Sequence, residues 1–286
     1  MELRTVIRTT PLVAALKDGR VEPVGFALGF EEVQPITQAF RIMCRELAYD
    51  ICEMAATTYF VARDFGKPFT ALPVFVTRGL HHTAIKARQP GDPKQLEGAR
   101  VGVNRGYTVT TGVWARGILA SEHGVDLDRV TWVRSDAEHV AEFEPPPNVE
   151  DLGPGEELVD LPAVVGDVQD DGLAPLIPDA DAAAVRALGR GLWPVNHLVV
   201  VRDELLAAHP DVAVALVDAF ERAKELYLAG GDVQPLHARV RDLIGGDPLP
   251  FGLEANRAVV EKLVDHAYAQ KILSRRPSVD ELFVSL

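Results

Sequence analysis

The sequence predicts an α/β protein of two lobes with a ligand cleft between them. Three observations lead there. Strand-like and helix-like runs alternate almost from the first residue, as α/β layering requires. A turn-rich break, ARQPGDPKQLEGA (87–99), separates one such series from a second, and a strongly apolar strand near residue 198 opens a third. The chain has 286 residues and is 47% hydrophobic, enough for about two domains with substantial cores. The expected division is a discontinuous first lobe, 1–86 with 199–286, and a second lobe, 87–198.

Each element follows from local pattern. LRTVIR (3–8) and GFALGFEEV (25–33) are short β-like runs, and ITQAFRIMCREL (36–47) carries apolar residues at helical spacing. DICEMA (50–55) reads as a buried strand, TTYFVARDFG (57–66) as a helix closed by Gly66, and FTALPVFV (69–76) as a strand running toward TAIKA (83–87), a further one. In the second lobe RVGVNR (100–105) is a strand, TTGVWARGILASEHG (110–124) a helix ending at Gly124, and VTWVRS (130–135) a strand. EPPPNVEDLGPGEEL (144–158) is loop by its Pro and Gly content, and 159–190 has no assignable pattern. LVVVRDELLAAHPDVAVALVDAFERAKELYLAGG (198–231) gives a strand, a turn and a long amphipathic helix with Val212, Leu216, Phe220 and Leu226 on one stripe. EANRAVVEKLVDHAYAQKIL (254–273) is the strongest helical pattern of the remainder, with Asn256 and Arg257 at its start.

Charge excludes whole classes of partner. With 42 acidic against 29 basic residues the net charge is −13, and nucleic-acid binding normally needs a basic face. No run approaches the roughly 20 apolar residues that cross a bilayer, and MELRTVIRTT has no basic segment followed by an apolar one, so no membrane association and a cytoplasmic location are the expectations. Cys44 and Cys52 read as free, buried thiols. The expected partner is a small anionic molecule, and a homo-oligomer is compatible with the chain.

An anionic ligand needs a locally positive site against that background. Arg78, His81 and His82 crowd the junction between two strand-like runs, Asn196 and His197 stand at the mouth of the strand near 198, and Thr110 and Thr111 open a predicted helix. Thr110 and Thr111 read most economically as its N-cap, which is compatible with binding through hydroxyls and free amides. Alternation along a strand would place one of His81 and His82 in the core and the other in solvent. Glu53, at the end of a buried strand, reads either as a partner for a histidine or as the acid to Arg78 or Arg63. Trp114 at helical spacing is more often core than ligand wall.

The series CEMAATTYFVAR, PVFVTRGLHHTAI, LEGARVGVNRGYTVTTGVWARGILASEHGVDLDRVTWV, GLWPVNHLVVVRDELLAAHP and FGLEANRAVVEKL…QKILSRRPSVDELF resembles, in order, the 4,5-dihydroxyphthalate decarboxylase family. The resemblance implies a type II periplasmic-binding-protein-like fold, with the ligand cleft between the lobes. It also implies non-oxidative removal of a carboxylate from a hydroxylated aromatic acid in phthalate degradation. Departures accompany it. The family's Arg-His-Ser appears as His81, His82 and Thr83, so the histidine carries over at His82 and an arginine is lost. Its Pro-Glu-Tyr appears as Asn104, Arg105, Gly106 and Tyr107, and the stretch from Leu161 to Arg190 is changed.

Such a reaction is an electrophilic substitution. A proton arrives at the carboxylate-bearing carbon, a para hydroxyl donates electron density, and carbon dioxide departs. It calls for a proton donor, groups that orient carboxylate, and an acceptor at the phenol. His82, His197 and Glu53 are the catalytic candidates. Arg78, His81, Thr57, Thr58, Asn104, Tyr107, Thr110, Thr111, Trp114 and Asn196 are the candidates for binding the aromatic carboxylate. Glu53, His81, His82 and His197 could hold a divalent metal if they converged, but no HxxxH or HExxH spacing occurs, so no metal is expected. VGVNRG lacks the spacing of a dinucleotide fingerprint, so no nicotinamide or flavin cofactor is expected either. A solute-binding protein for an organic anion, and a menaquinone-pathway enzyme on the same fold, are the alternatives.

Overall fold

The computed structural model describes residues 1–286. The elements, in chain order, are β1 Glu2–Val6, α1 Ala14–Lys17, β2 Ala27–Phe30, α2 Ile36–Glu46, β3 Ile51–Ala55, α3 Ala56–Asp64 and β4 Phe69–Arg78. They continue with β5 Ile85–Ala87, β6 Arg100–Val103, α4 Thr110–His123, β7 Thr131–Arg134, β8 Val149–Asp151, β9 Ala163–Val165, β10 Ala174–Pro175 and α5 Ala180–Gly189. Last come β11 Val195–Arg202, α6 Asp203–Ala208, α7 Val212–Ala229, α8 Pro235–Ile244 and α9 Arg257–Ala269. The chain divides into two units, one comprising Met1–Arg78, Val195–Val260 and Pro277–Leu286, the other Gly79–Pro194 and Glu261–Arg276. The expected first lobe ran on from 199 to 286, whereas Glu261–Arg276 packs with the second unit. The reason is visible in Gln270, whose amide nitrogen donates to the Val113 carbonyl and whose carbonyl accepts from Arg116.

The first unit is built on a five-stranded sheet of order β2-β1-β3-β11-β4. β1 pairs in parallel with β2 and β3, while β11 runs antiparallel to both β3 and β4. The carboxyl ends of β1, β3 and β4 and the start of β11 therefore share one edge. All of β3 is buried, as a central strand covered on both faces must be. Ile51, Leu72, Val74, Val199 and Val201 join Val212, Leu216, Phe220 and Tyr227 of α7 in one core. Leu226, expected on the same stripe, is 46% exposed. At 100° per residue it lies off the line through Leu216, Phe220 and Tyr227.

The second unit holds a six-stranded sheet of order β10-β5-β9-β6-β7-β8. β9, at the heart of this sheet, lies in the stretch that showed no pattern in the sequence. It is only three residues, too short for a period to register, yet fully buried between β5 and β6. The expected strand 83–87 starts only at Ile85, because His82–Ala84 turn as a 3-10 helix. α4 ends at Gly124 with φ +64, the left-handed cap its glycine permits. Within α4, Gly117 lets the His266 ring approach, since a Cβ there would stand 2.5 Å from that ring.

Phe220→Ala removes a large side chain from the first unit's core and is expected to cost about 3–5 kcal/mol in urea unfolding. Leu226→Asp, on the exposed side of the same helix, is expected to change stability by less than about 0.5 kcal/mol.

Candidate functional site

At the shared edge of the first sheet the chain closes a ring of contacts. Glu53 is 1% exposed at the end of β3. Its Oε2 accepts from the Arg8 backbone N–H at 2.8 Å, and its Oε1 meets His197 Nδ1 at 2.6 Å. The strand register explains the second contact. His197 lies opposite Ala55 across the β11/β3 ladder, so Glu53, two residues earlier on the same face, is its diagonal neighbour. On its other side His197 pairs with Thr77 of β4, whose hydroxyl accepts from the Arg8 guanidinium at 3.1 Å. The β11/β4 register shifts on either side of His197, an irregularity of the kind that re-aims a side chain. The Phe40 ring stands edge-on to the imidazole at 5.2 Å.

Burial pushes the Glu53 carboxyl up, but the His197 hydrogen bond and charge, with those of Arg8, outweigh it and hold the group below the usual carboxylate range. It is therefore an anion at neutral pH. His197 Nδ1 is spent on that anion. Nε2 has no protein partner, and the side chain retains 17% exposure. A carboxylate-held imidazole with one nitrogen open is suited to holding or moving a proton at Nε2.

The other first-unit candidates have mixed fates. Arg78 is 5% exposed, with its guanidinium over the Phe75 ring and bonded to the Pro250 carbonyl at 2.9 Å and to Asn256 Oδ1. Burial draws it down to about 9, so it stays cationic at neutral pH. It braces the 250–256 loop, which Asn256 also holds through the Pro250 and Gly252 carbonyls. Arg63, the other acid-pairing candidate for Glu53, bonds Asp203 instead. Thr57 and Thr58 are fully buried in the first turn of α3, and Asn196 stands beside His197 in β11.

In the second unit both histidines of the 81–82 pair are buried, at 3% and 2% exposure. The expected alternation fails because His82 opens a 3-10 turn and His81 is its N-cap residue, so neither lies in a strand. The His81 ring lies 7° from parallel to Trp114 at 6.3 Å, and Trp114 meets His266 edge-on at 5.5 Å. His82 Nε2 lies 3.2 Å from Glu122 Oε2, while its Nδ1 is buried without a partner. Burial lowers the His82 pKa, partly opposed by Glu122, so the ring is neutral at neutral pH.

The segment after β6 is rigid. Glu138 accepts from the backbone of Tyr107 at 2.7 Å and of Thr108 at 3.1 Å, and from the Thr108 hydroxyl at 2.6 Å. Gly106 is required there, since a Cβ would come within 2.6 Å of the Glu138 carboxylate. Asn104 donates to the Asp167 carbonyl. Tyr107 is buried, its ring 3.9 Å from the Arg116 guanidinium and its hydroxyl on the Gln270 carbonyl. Thr110 and Thr111 are the first two residues of α4, not its cap. Val109 holds the cap position and supplies no side-chain bond. Trp114 is wholly buried. No three His, Cys, Asp or Glu side chains are grouped to hold a metal ion.

Sequence reading placed Glu53 and His197 but missed Arg8 and Glu122. Arg8, in the loop just past β1, and Glu122, near the end of α4, both look like ordinary charged surface. Only the strand register for Arg8, and the helix phase that brings Glu122 under the 81–84 turn, reveal them.

No protein-family model matches the chain. It is 29% identical to a 4,5-dihydroxyphthalate decarboxylase of Comamonas testosteroni, over 96% of this chain and 93% of the relative. A 4,5-dihydroxyphthalate decarboxylase of Pseudomonas putida is 36% identical over 48% of this chain and 53% of its own. The likeness to this family expected from the sequence thus runs over almost the whole chain. Among solved structures, the alkanesulfonate-binding protein SsuA of Xanthomonas axonopodis pv. citri matches with a TM-score of 0.56 at 13% identity, covering 99% of this chain and 98% of that one. The periplasmic aliphatic sulphonate binding protein SsuA of Escherichia coli also gives 0.56, at 10% identity over 99% and 92%. The desulfurization enzyme DSZB, in complex with biphenyl-2-sulfinic acid, gives 0.54 at 14% over 99% and 96%. At such identities these matches establish the fold, which is that of the periplasmic binding proteins.

The held-down Glu53 carboxyl sets the sign of a pH effect. Its ionised form stabilises the folded state above the unfolded-chain value near 4.3 and stops doing so as pH falls through the lower folded value. Glu53→Gln is therefore expected to lose about 1–3 kcal/mol at pH 7. In urea melts the gap from the wild type should close as the pH is taken below 4.

Proposed function

We propose that this protein is a non-oxidative carboxy-lyase that removes a carboxylate from a hydroxylated aromatic acid, with 4,5-dihydroxyphthalate as the reference substrate. Two lines support the reading: the likeness to 4,5-dihydroxyphthalate decarboxylases over 96% of the chain, and the Glu53–His197 pair with Nε2 left open. The pair is the observation that carries it.

Decarboxylation of such a ring needs one proton delivered to the carbon that bears the departing carboxylate. The hydroxyl para to that carbon supplies electron density as the C–H bond forms, and the C–C bond then breaks to release carbon dioxide. The proton comes from His197 Nε2, the ring atom not engaged by protein. Glu53 fixes the ring and holds Nδ1–H, so that the mobile proton resides at the open nitrogen. Phe40 supplies an edge contact that limits rotation of the imidazole. His82 is the less suited donor. It is almost fully buried, Glu122 takes its Nε2, and burial keeps the ring neutral. Its part is to pin the 81–84 turn against α4.

A cytoplasmic location is proposed as part of the same reading.

Headspace carbon-dioxide measurement with a panel of dihydroxyphthalates and hydroxybenzoates tests the proposal. His197→Ala is expected to reduce kcat by about 10²–10⁴-fold while ligand binding persists. His82→Ala should cost far less in kcat than His197→Ala. Thermal stabilisation by the acids without carbon-dioxide release would make the protein a binder of aromatic anions instead. An unchanged rate for His197→Ala would remove this histidine from the chemistry.

A further inference from the structure

Arg8 stands out among the arginines of the first unit. Arg4, Arg20, Arg63, Arg202, Arg222 and Arg257 each carry a carboxylate partner. In a chain with 42 acidic residues that is the expected fate of an arginine. The guanidinium of Arg8 has one hydrogen-bond partner, the neutral Thr77 hydroxyl; its charge acts on Glu53 without a side-chain hydrogen bond, and the residue is exposed. The guanidinium of Arg78, in the same unit, is spent on the Pro250 carbonyl and Asn256. Arg8 adjoins the buried Glu53–His197 pair, through two bonds and the strand register. Its backbone N–H is fixed to Glu53, its side chain is fixed to Thr77, and Thr77 is the cross-strand partner of His197. The cation is thus tethered at the sheet edge that carries Glu53, Thr77 and His197, with most of its five donors unspent.

We propose that Arg8 is the specificity-determining residue of the site, binding the carboxylate that the substrate keeps, ortho to the one that leaves. This rests on the decarboxylase reading above. The choice between the two carboxylates follows from charge flow. In the reaction the departing group begins as an anion and ends as neutral carbon dioxide. A cation clamped on it would stabilise the ground state more than the transition state and slow the step. On the retained carboxylate, whose charge does not change, the same cation adds affinity without that cost. A planar guanidinium can grip such a group with two parallel hydrogen bonds. Arg78, the sequence candidate for this task, is committed to the 250–256 loop.

The test uses the full-length protein with Arg8→Met and Arg8→Lys. The hydrogen bond to Glu53 comes from the backbone and survives both substitutions, and Arg8→Lys also keeps the charge that acts on Glu53. Titration calorimetry is run with 4,5-dihydroxyphthalate, with 3,4-dihydroxybenzoate, which keeps one carboxylate, and with catechol, which has none. Arg8→Met is expected to weaken both acids by about ten- to a hundredfold and to leave catechol unchanged, with Arg8→Lys intermediate. In turnover the loss should appear in KM, with kcat within a few-fold of the wild type. Wild-type affinity for both acids in Arg8→Met overturns the proposal, as does a fall in kcat at constant KM, or a wild-type protein that binds neither acid. Arg8-dependent binding with no carbon dioxide released would leave Arg8 as an anion receptor and sink the decarboxylase reading. Normal turnover and KM in Arg8→Met would do the reverse.

Discussion

The buried carboxylate of Glu53 is the constraint on which the site depends. An anion at 1% exposure is tolerable only if its lone pairs are taken, and here they are taken by a backbone N–H and an imidazole. Those two partners come from chain segments far apart in sequence, the loop just past β1 and the start of β11. One side chain thereby registers three strands against one another. It also decides which nitrogen of His197 faces outward.

The sheet supplies the geometry. Four of its five strands are parallel, and β11 is threaded antiparallel between β3 and β4, so its beginning, not its end, lies at the carboxyl edge of the others. That is how residues 8, 53, 77 and 197 come to adjoin. The irregular pairing around His197 is tolerated because β4 continues on either side of it, from Phe69 to Arg78, and ties the strand down. In the second unit an equivalent rigidity comes from a different device. Glu138 collects three donors from residues 107 and 108, and a glycine at 106 admits it.

Much of this was legible in the sequence, and the gaps have physical causes. Elements with enough residues to show a period, such as α4, α7 and β4, appear within a residue or two of where pattern placed them. β9 did not, because three buried residues carry no period. Its place at the centre of the second sheet is a tertiary fact. His81 and His82 were read on the rule of a strand, and a 3-10 turn put both inside. Glu53 could be picked out as a lone acid in an apolar strand, but its choice of His197 over Arg63 or Arg78 required the β11/β3 register. Arg8 carried no signal, since an arginine without a carboxylate hydrogen-bonded to its guanidinium is recognised only when the side chains around it have been placed.

The most direct test is the tautomer of His197, read from the ring nitrogen shifts of 15N-labelled protein near pH 8, with His197→Gln used for assignment. The pairing described here requires a proton on Nδ1, facing Glu53, and Glu53→Gln should disturb that preference. A ring protonated at Nε2 with Nδ1 bare would contradict it, because Nδ1 could then donate nothing to Glu53 and the open nitrogen would not be the one set aside for the proton.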